Sequence, residues 1–281
     1  MLYMFIDTHA HLNFKAYERD LDEVIARSLR EDVYIINVGS KYKTSLKAVE
    51  IAERYKEGVY GAIGLHPIHS TPGLVKIRTD KDEGGFETEG EEFNEEDYKK
   101  LAESKKVVAI GEIGLDYYYK PKTTERKRLF KEKQKEIFIK QLNMAEELDL
   151  PVILHCRMAH QDLIEILESK IKNNKTGING VIHCFTGSWS EAERYLNMGL
   201  CLGFNGIIFK LNLDEVIRKT PIEKILIETD CPYLSPPEIV HLRNEPVFVK
   251  SVAKRISEIK NISLEEVGKK TTENAKCLFK I

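Results

Sequence analysis

The chain has 281 residues, 42% of them hydrophobic and 31% charged, a composition typical of a globular protein with a buried core. Its net charge of −2 excludes a protein that coats nucleic acid through an overall positive charge, so attraction of a polyanion would depend on bound metal ions and local patches. An odd number of cysteines with no CxxC pair, and an apolar N-terminus that ends at Asp7, predict a cytoplasmic protein with neither disulfides nor a membrane anchor.

Short runs rich in β-branched residues alternate along the chain with longer segments of helical periodicity. Strands are predicted at 4–7, 33–38, 59–63, 107–111, 152–155, 180–183, 200–204 and 225–228. Helices are predicted near 18–31, 44–56, 94–105, 124–149, 160–171, 189–198, 212–219, 245–260 and 263–278. This alternation predicts a single (β/α)8 TIM barrel of the amidohydrolase-like kind over residues 1–281. A doubly wound open sheet is the alternative, although no GxGxxG follows the first strand.

Two segments interrupt the alternation. Residues 70–97 contain TPG, GG and a dense acidic run, which predicts a surface insertion after the third strand that points away from a polyanion site or moves. Residues 120–140 are rich in Lys and Arg and follow three tyrosines, beginning with Tyr117. Aromatic rings beside cations grip single-stranded nucleic acid, so Tyr117 is a candidate substrate-binding residue; a solvated helix face is the alternative.

Potential metal ligands recur at the carboxyl ends of the predicted strands. His9 and His11 end the first strand, and their i, i+2 spacing points both imidazoles to one side of an extended backbone. The others end strands four, five, six and eight: Glu112, His155, His183 and Asp230. Because the strand ends of a barrel converge on the face that carries the active site, we predict one metal centre.

Imidazole and carboxylate ligands together suit Zn²⁺, Mn²⁺, Fe²⁺ or Ni²⁺, and Mg²⁺ is a further candidate. Six ligands exceed the need of one tetrahedral ion with an open position, and they predict two divalent ions about 3.5–4 Å apart that share a carboxylate. Glu112 is the expected bridge, where many barrel hydrolases use a carbamylated lysine. The ions would lower the pKa of a bound water, and Asp230 would orient or deprotonate that nucleophile. Asp230 and Glu112 are therefore the catalytic candidates.

Seven motifs in order resemble the TatD family of metal-dependent hydrolases: IDTHAHL at 6–12, GLHP at 64–67, GEIGLDY at 111–117, PVILHCR at 151–157, HCFTGS at 183–188, ETDCPYL at 228–234 and RNEP at 243–246. The resemblance implies a (β/α)8 barrel with metal-dependent DNase activity, often 3′-to-5′ on single strands. It implies that the six strand-end residues above are metal ligands. It also implies contacts to substrate phosphate from His66, Arg157 and Arg243, and the planar arginine fork suits that role.

Three functions are open on this sequence. The first is a deoxyribonuclease acting on single-stranded DNA. The second is a hydrolase of another ester or amide, such as an aminoacyl-tRNA deacylase or an amidohydrolase of a small cyclic amide. The third is a non-catalytic metal-binding scaffold, which is disfavoured because every candidate ligand is present. A mouth lined by Arg157, Arg243 and the tyrosines would favour phosphodiesters, and a closed apolar pocket would favour small amides. A monomer is expected.

Overall fold

Eight parallel strands pair in chain order and curl into a barrel in the computed structural model, which describes residues 4–75, 83, 90–174, 177–239 and 242–281. The strands are β1 (Phe5–Ala10), β2 (Val33–Val38), β3 (Val59–Ile63), β4 (Val107–Asp116), β5 (Val152–Arg157), β6 (Gly180–Ile182), β7 (Cys201–Phe204) and β8 (Ile225–Ile227). The ring closes just beyond β8, where the amide of Asp230 donates to the carbonyl of His9 at 2.8 Å and the amide of His11 donates to the carbonyl of Cys231 at 2.9 Å. The predicted (β/α)8 barrel is confirmed, and the open sheet is excluded.

Helices surround the barrel at all nine predicted places within the described residues. They are α1 (Leu21–Arg30), α2 (Tyr42–Glu53), α3 (Glu95–Leu101), α4 (Thr124–Glu147), α5 (His160–Asn174), α6 (Trp189–Asn197), α7 (Asp214–Lys219), α8 (Val249–Lys260) and α9 (Leu264–Phe279). Polar caps set several starts: Oγ of Ser188 accepts from the amide of Glu191, and Oγ of Ser263 from the amide of Glu266. Over the described part of the chain, no helix has the length and apolar character needed to cross a bilayer.

The interior of the barrel is filled by alternate strand side chains and closed at one end by the last helix. Ile6 of β1, Ile36 of β2 and Leu226 of β8 belong to one buried cluster with Leu278 and Phe279 of α9. α9 packs against the amino-terminal end of the strands, where Thr272 donates to the carbonyl of Met4 and Asn274 to that of Ile225. The carboxyl end remains the face through which a substrate can enter.

β4 is longer than the predicted 107–111. Its pairing register with β5 shifts between Ile110 and Ile113, after which pairing continues as far as Asp116 opposite Arg157. Such an irregularity bends a strand and re-aims a side chain. Glu112 therefore lies at the irregularity within β4, and Asp116 occupies the strand end where Glu112 was expected.

Candidate active site

A cavity of about 430 Å³ lies at the carboxyl ends of the strands. The residues predicted for the site that line it are His11, His66, Glu112, His155, Arg157, His183 and Asp230. His9 lies behind them and is fully buried. The structure thus gathers the six candidate metal ligands and two of the four candidate substrate residues around one space.

The two imidazoles of the HxH pair face each other at the base of the cavity. Nε2 of His9 lies 3.1 Å from Nε2 of His11. Oδ1 of Asp230 is 3.4 Å from Nε2 of His11, and Oε2 of Glu112 is 3.4 Å from Nε2 of His9. Nδ1 of His11 lies 2.9 Å from the carbonyl oxygen of Val38. In the neutral ring this bond holds the proton on Nδ1 and leaves the Nε2 lone pair directed at the cluster.

The other carboxylate oxygen of Glu112 faces a second group of imidazoles. Oε1 lies 2.6 Å from Nδ1 of His155, 3.5 Å from Nε2 of His66 and 3.8 Å from Nε2 of His183. Nδ1 of His66 accepts a hydrogen bond from the amide of Ile68 at 3.0 Å, so the proton of the neutral His66 ring lies on Nε2. His66 is therefore a donor into the cavity. Glu112 offers one oxygen to each of the two ligand groups.

This donor set fits divalent cations. Several groups of three ligand atoms lie within 4.8 Å of one another in the described residues, and they combine His9, Glu112, His183 and Asp230 with neighbouring side chains. Imidazole nitrogen and carboxylate oxygen together are the ligand chemistry of Zn²⁺, Mn²⁺ and Ni²⁺. A cation bound between His9 and His11 would be coordinated by Nε2 of both rings, which accounts for the short distance between these two nitrogens.

The charges of the cluster are balanced by protons on the imidazoles. Burial is the largest single effect and disfavours the charged rings, but the charges and hydrogen bonds of Glu112 and Asp116 together outweigh it and raise the pKa of His155 to about 10. For His183 burial is again the largest single effect, and the combined action of Glu228, Glu112 and Asp230 outweighs it and raises the pKa to about 9. Burial and the positive charge of His183 lower the pKa of His9 to about 4. A divalent cation would replace the positive charge that the protons on these rings supply.

Glu228 supports His183 from behind and was not singled out by the sequence. It is fully buried, and its Oε1 lies 2.9 Å from Nδ1 of His183. The same oxygen accepts from the amide of Cys184 at 2.7 Å and from Nδ2 of Asn205 at 3.1 Å. A carboxylate behind a histidine fixes the ring orientation and leaves the opposite nitrogen for a ligand.

Asp116 was also missed, although it lies in the GEIGLDY motif. It is buried, lines the cavity, and places Oδ2 3.2 Å from Nε2 of His155. Its Oδ1 accepts from the amide of Tyr118 at 2.8 Å. His155 is thus held between Glu112 and Asp116. Because the predicted strand ended at 111, the signal available in the sequence was the place of this acidic residue in the motif.

The buried carboxyl group of Asp7 joins the first strand to the last. Oδ1 of Asp7 accepts from the amide of Thr229 at 2.9 Å, and its Oδ2 accepts from the hydroxyl of Thr229 at 2.6 Å. Oδ1 also accepts from the amide of His9 at 3.2 Å. Burial raises the pKa of Asp7 to about 8 despite these hydrogen bonds. Asp7 consequently fixes the backbone positions of His9 and of Thr229, which precedes Asp230.

Two of the candidate substrate residues do not line the cavity. Tyr117 is buried, and its hydroxyl donates to Asp162 at 2.7 Å. The guanidinium of Arg243 donates to Asp20 at 2.8 Å and to Glu245 at 3.0 Å. These bonds connect packed elements of the barrel wall. Substrate contact by Tyr117 and Arg243 stays a prediction, and the hydrogen bonds disfavour it because they already engage the hydroxyl of Tyr117 and both terminal nitrogens of Arg243.

The acidic insertion reaches the cavity at Glu83, while residues 76–82 and 84–89 lie outside the described residues. Oε1 of Glu83 accepts from the hydroxyl of Ser40 at 2.7 Å and lies 2.9 Å from Nε2 of His69. The expectation that the acidic loop points away from the mouth is not met at this residue. The reason is that Ser40 and His69 provide polar partners for the carboxylate on the cavity wall.

A (β/α)8 barrel that gathers histidines and carboxylates around one cavity at its strand ends has the architecture of a metal-dependent hydrolase. Residues 6–280 match the family model described as TatD related DNase. The chain belongs to this family and is a metal-dependent hydrolase.

Relatives and a solved structure match this chain over nearly its whole length. The chain is 39% identical to the uncharacterized metal-dependent hydrolase YabD of Bacillus subtilis (strain 168), covering 99% of this chain and 100% of that protein. It is 30% identical to the 3′-5′ ssDNA/RNA exonuclease TatD of Pantoea sp. (strain At-9b), covering 98% and 99%. The crystal structure of the TatD homologue YjjV from Escherichia coli K12 superposes with a TM-score of 0.80 at 28% identity, covering 100% of both chains.

Proposed function

We propose that this hydrolase cleaves the phosphodiester bonds of single-stranded DNA from the 3′ end, using two divalent metal ions. The observation that carries the proposal is Arg157, an exposed side chain that lines the cavity beside the ligand cluster. No carboxylate in the described parts of the chain forms an ion pair with it. A guanidinium without an acidic partner beside metal ligands suits a phosphate group. The exonuclease name of the Pantoea relative supports the same reading.

The alternative of a small cyclic amide is less well supported. Such a substrate calls for an enclosed apolar pocket with few polar groups. Here Arg157 and Tyr119 stand on the wall, and histidines and carboxylates form the base. A scaffold role without catalysis would give no reason for Arg157 to stand beside a complete ligand set.

We infer two positions for the ions. His9, His11 and Asp230 would hold one, and His155 with His183 would hold the other. Glu112 would contribute one oxygen to each. Zn²⁺, Mn²⁺, Mg²⁺ and Ni²⁺ are the candidates. When bound, divalent ions would act as Lewis acids on the phosphate and lower the pKa of a water.

Asp230 is the carboxylate of the cluster best placed to accept a proton. Its side chain is 17% exposed, compared with 5% for Glu112, so it reaches the cavity while Glu112 stays in the base. Burial would raise the pKa of Asp230, but hydrogen bonding to His11 and the charges of the nearby histidines lower it, which keeps the carboxylate ionised. We therefore assign Asp230 to deprotonation of the attacking water.

The remaining polar groups would bind the phosphodiester. Nε2–H of His66 points into the cavity and would donate to a non-bridging oxygen. The guanidinium of Arg157 would bind a second oxygen or the next phosphate along the strand. Burial lowers the pKa of His66 and favours its neutral form, in which the ring is a single donor on the Nε2 side.

The test uses metal-stripped enzyme reloaded with Mg²⁺, Mn²⁺, Zn²⁺ or Ni²⁺ and single-stranded DNA labelled at one end. A 3′-to-5′ exonuclease releases a 3′ label at once as a mononucleotide and shortens a 5′-labelled strand stepwise. Asp230→Asn should lower kcat by about 10²–10⁴-fold, as expected for loss of a general base. Arg194→Gln is the control, because Arg194 is paired with Glu168 on the outer helices.

Three results would contradict the proposal in different ways. Absence of cleavage by enzyme that contains stoichiometric metal would refute the nuclease activity. Early release of a 5′ label would refute the polarity. Full metal content in His9→Ala and Glu112→Ala would refute the assignment of the ligands.

A further inference from the structure

Large apolar side chains that stay exposed are concentrated at the mouth of the barrel. Those in loops that follow β4, β5, β7 and β8 are Tyr118, Tyr119, Met158, Leu211 and Leu242. Elsewhere in the described residues, exposed side chains of this kind are Leu129 and Ile139 on α4. An exposed apolar rim around a cavity is typical of a surface that binds a ligand or another macromolecule.

Two of these side chains form an ordered arrangement with Arg157. The guanidinium carbon of Arg157 lies 3.7 Å from the ring centroid of Tyr118, so the cation stacks on the ring face. The ring of Tyr119 stands perpendicular to that of Tyr118, with centroids 4.7 Å apart. Tyr119 lines the cavity and is 47% exposed. The arrangement therefore presents an open aromatic face and a positioned cation side by side.

The tyrosines are followed in the chain by basic side chains that have no ion-pair partner in the part of the chain that the structure describes. Lys120 and Lys122 follow the tyrosines directly, and no carboxylate within the described ranges pairs with either. Further along, Lys131 and Lys135 are both within ion-pair distance of Asp162, at 3.8 Å and 3.0 Å. Of these four lysines, the two that lie next to the tyrosines in the chain are thus the ones without an ion pair in the described residues. A polyanion complements this edge better than a second protein surface would.

We propose that Tyr119, with the Tyr118–Arg157 pair, forms a subsite for one unpaired nucleotide of the strand being cleaved. The base stacks on the ring of Tyr119, and Arg157, held in place by Tyr118, binds the adjoining phosphate. This inference rests on the proposed nuclease function and specifies how the strand is held. A base within a duplex has both faces covered by its neighbours, so an aromatic face selects unstacked bases.

The experiment separates stacking from phosphate binding. Fluorescence anisotropy gives Kd for a labelled single strand whose 3′-terminal linkages are phosphorothioates, which slows cleavage during the measurement. Tyr119→Leu should weaken binding on the order of ten-fold, whereas Tyr119→Phe should bind like the wild type. Leu129→Ala, an exposed apolar residue on α4, is the control and should leave Kd unchanged.

Two further comparisons identify the interaction. When the bases near the 3′ end are replaced by abasic residues, the wild type and Tyr119→Leu should bind equally, because no base remains to stack. Arg157→Gln should reduce the slope of log Kd against log salt by about one, and Tyr119→Leu should leave that slope unchanged. Tyr118→Leu should reduce the slope in part, because Arg157 loses the ring that orients it.

The outcomes distinguish this subsite from the proposed function. Equal Kd for the wild type and Tyr119→Leu on an intact strand would overturn the subsite, even if the wild type cleaves DNA. Tight binding that depends on Tyr119, without cleavage in any metal, would support the subsite and overturn the nuclease activity. Absence of binding to single strands would overturn both.

Discussion

The fully buried carboxylate of Glu228 provides a sharp test of how this centre holds its cation. It lies behind His183 and does not line the cavity. Its Oε1 is close to Nδ1 of His183 and accepts hydrogen bonds from Cys184 and Asn205. Glu228→Gln keeps the shape and an accepting oxygen but removes the negative charge. The variant therefore changes the basicity of His183 more than its position.

The expected magnitude follows from the position of Glu228 behind the ligand. Replacing such a partner of a metal-binding histidine typically costs about 10–100-fold in metal affinity. This corresponds to about 1.4–2.7 kcal/mol of binding free energy. Gly203→Ala perturbs the same contact independently, because a Cβ there would lie 2.5 Å from Oε2 of Glu228. It should weaken metal binding with the charge still present.

The assay is competition for Zn²⁺ between the protein and a chromophoric chelator, with thermal unfolding of the metal-free proteins measured beside it. Glu168→Gln is the matched control, since Glu168 is half exposed and pairs with Arg194 on the surface. Equal affinity for the wild type and Glu228→Gln would refute the reasoning. A loss of affinity matched by the Glu168→Gln control would refute it as well.

Three further outcomes are expected. Arg243→Gln should lower the free energy of unfolding by about 1–3 kcal/mol, because it breaks charged hydrogen bonds to Asp20 and Glu245; a raised KM at unchanged stability in denaturant would instead make Arg243 a substrate ligand. Metal binding should release protons near neutral pH, and affinity should fall as pH is lowered, because His155 and His183 have pKa values raised to about 10 and 9 and coordinate only after deprotonation. Calorimetry in buffers of different ionisation enthalpy measures this, and a pH-independent affinity would contradict it. Metal at 100 times Kd should raise the stability of stripped enzyme by about 2.7 kcal/mol, and an unchanged denaturant midpoint would argue against a site confined to the folded state.

Much of the barrel could be predicted because both faces of its strands are buried. Continuous apolar runs such as 33–38 and 59–63 coincide with β2 and β3 as found. β4 was predicted too short because Gly111, Glu112 and Gly114 interrupt its apolar run. The pairing beyond the register shift depends on contact with β5, which a local pattern does not reveal.

The candidate site was likewise predictable where a local pattern reveals it and not where it depends on distant contacts. Residues such as His11 and Asp230 could be proposed as ligands because their chemistry coincides with strand ends. Asp116 was missed because the predicted fourth strand ended at 111, and Glu228 because a position at the end of a predicted strand does not reveal that the side chain lies behind a ligand. Arg243 shows the converse, since a motif position beyond a strand end does not reveal whether the side chain turns into the cavity or into the wall.

The contacts between β1 and the residues just beyond β8 determine when the active site can form. Asp7 bonds to Thr229 across 222 positions of the chain, and the backbone of His9 bonds to that of Asp230. A chain still missing its last strand lacks Asp230 and also the surface against which the HxH pair is held. Nascent or proteolysed fragments would consequently have no assembled centre. Hydrolytic activity would therefore require a chain long enough to include Thr229 and Asp230.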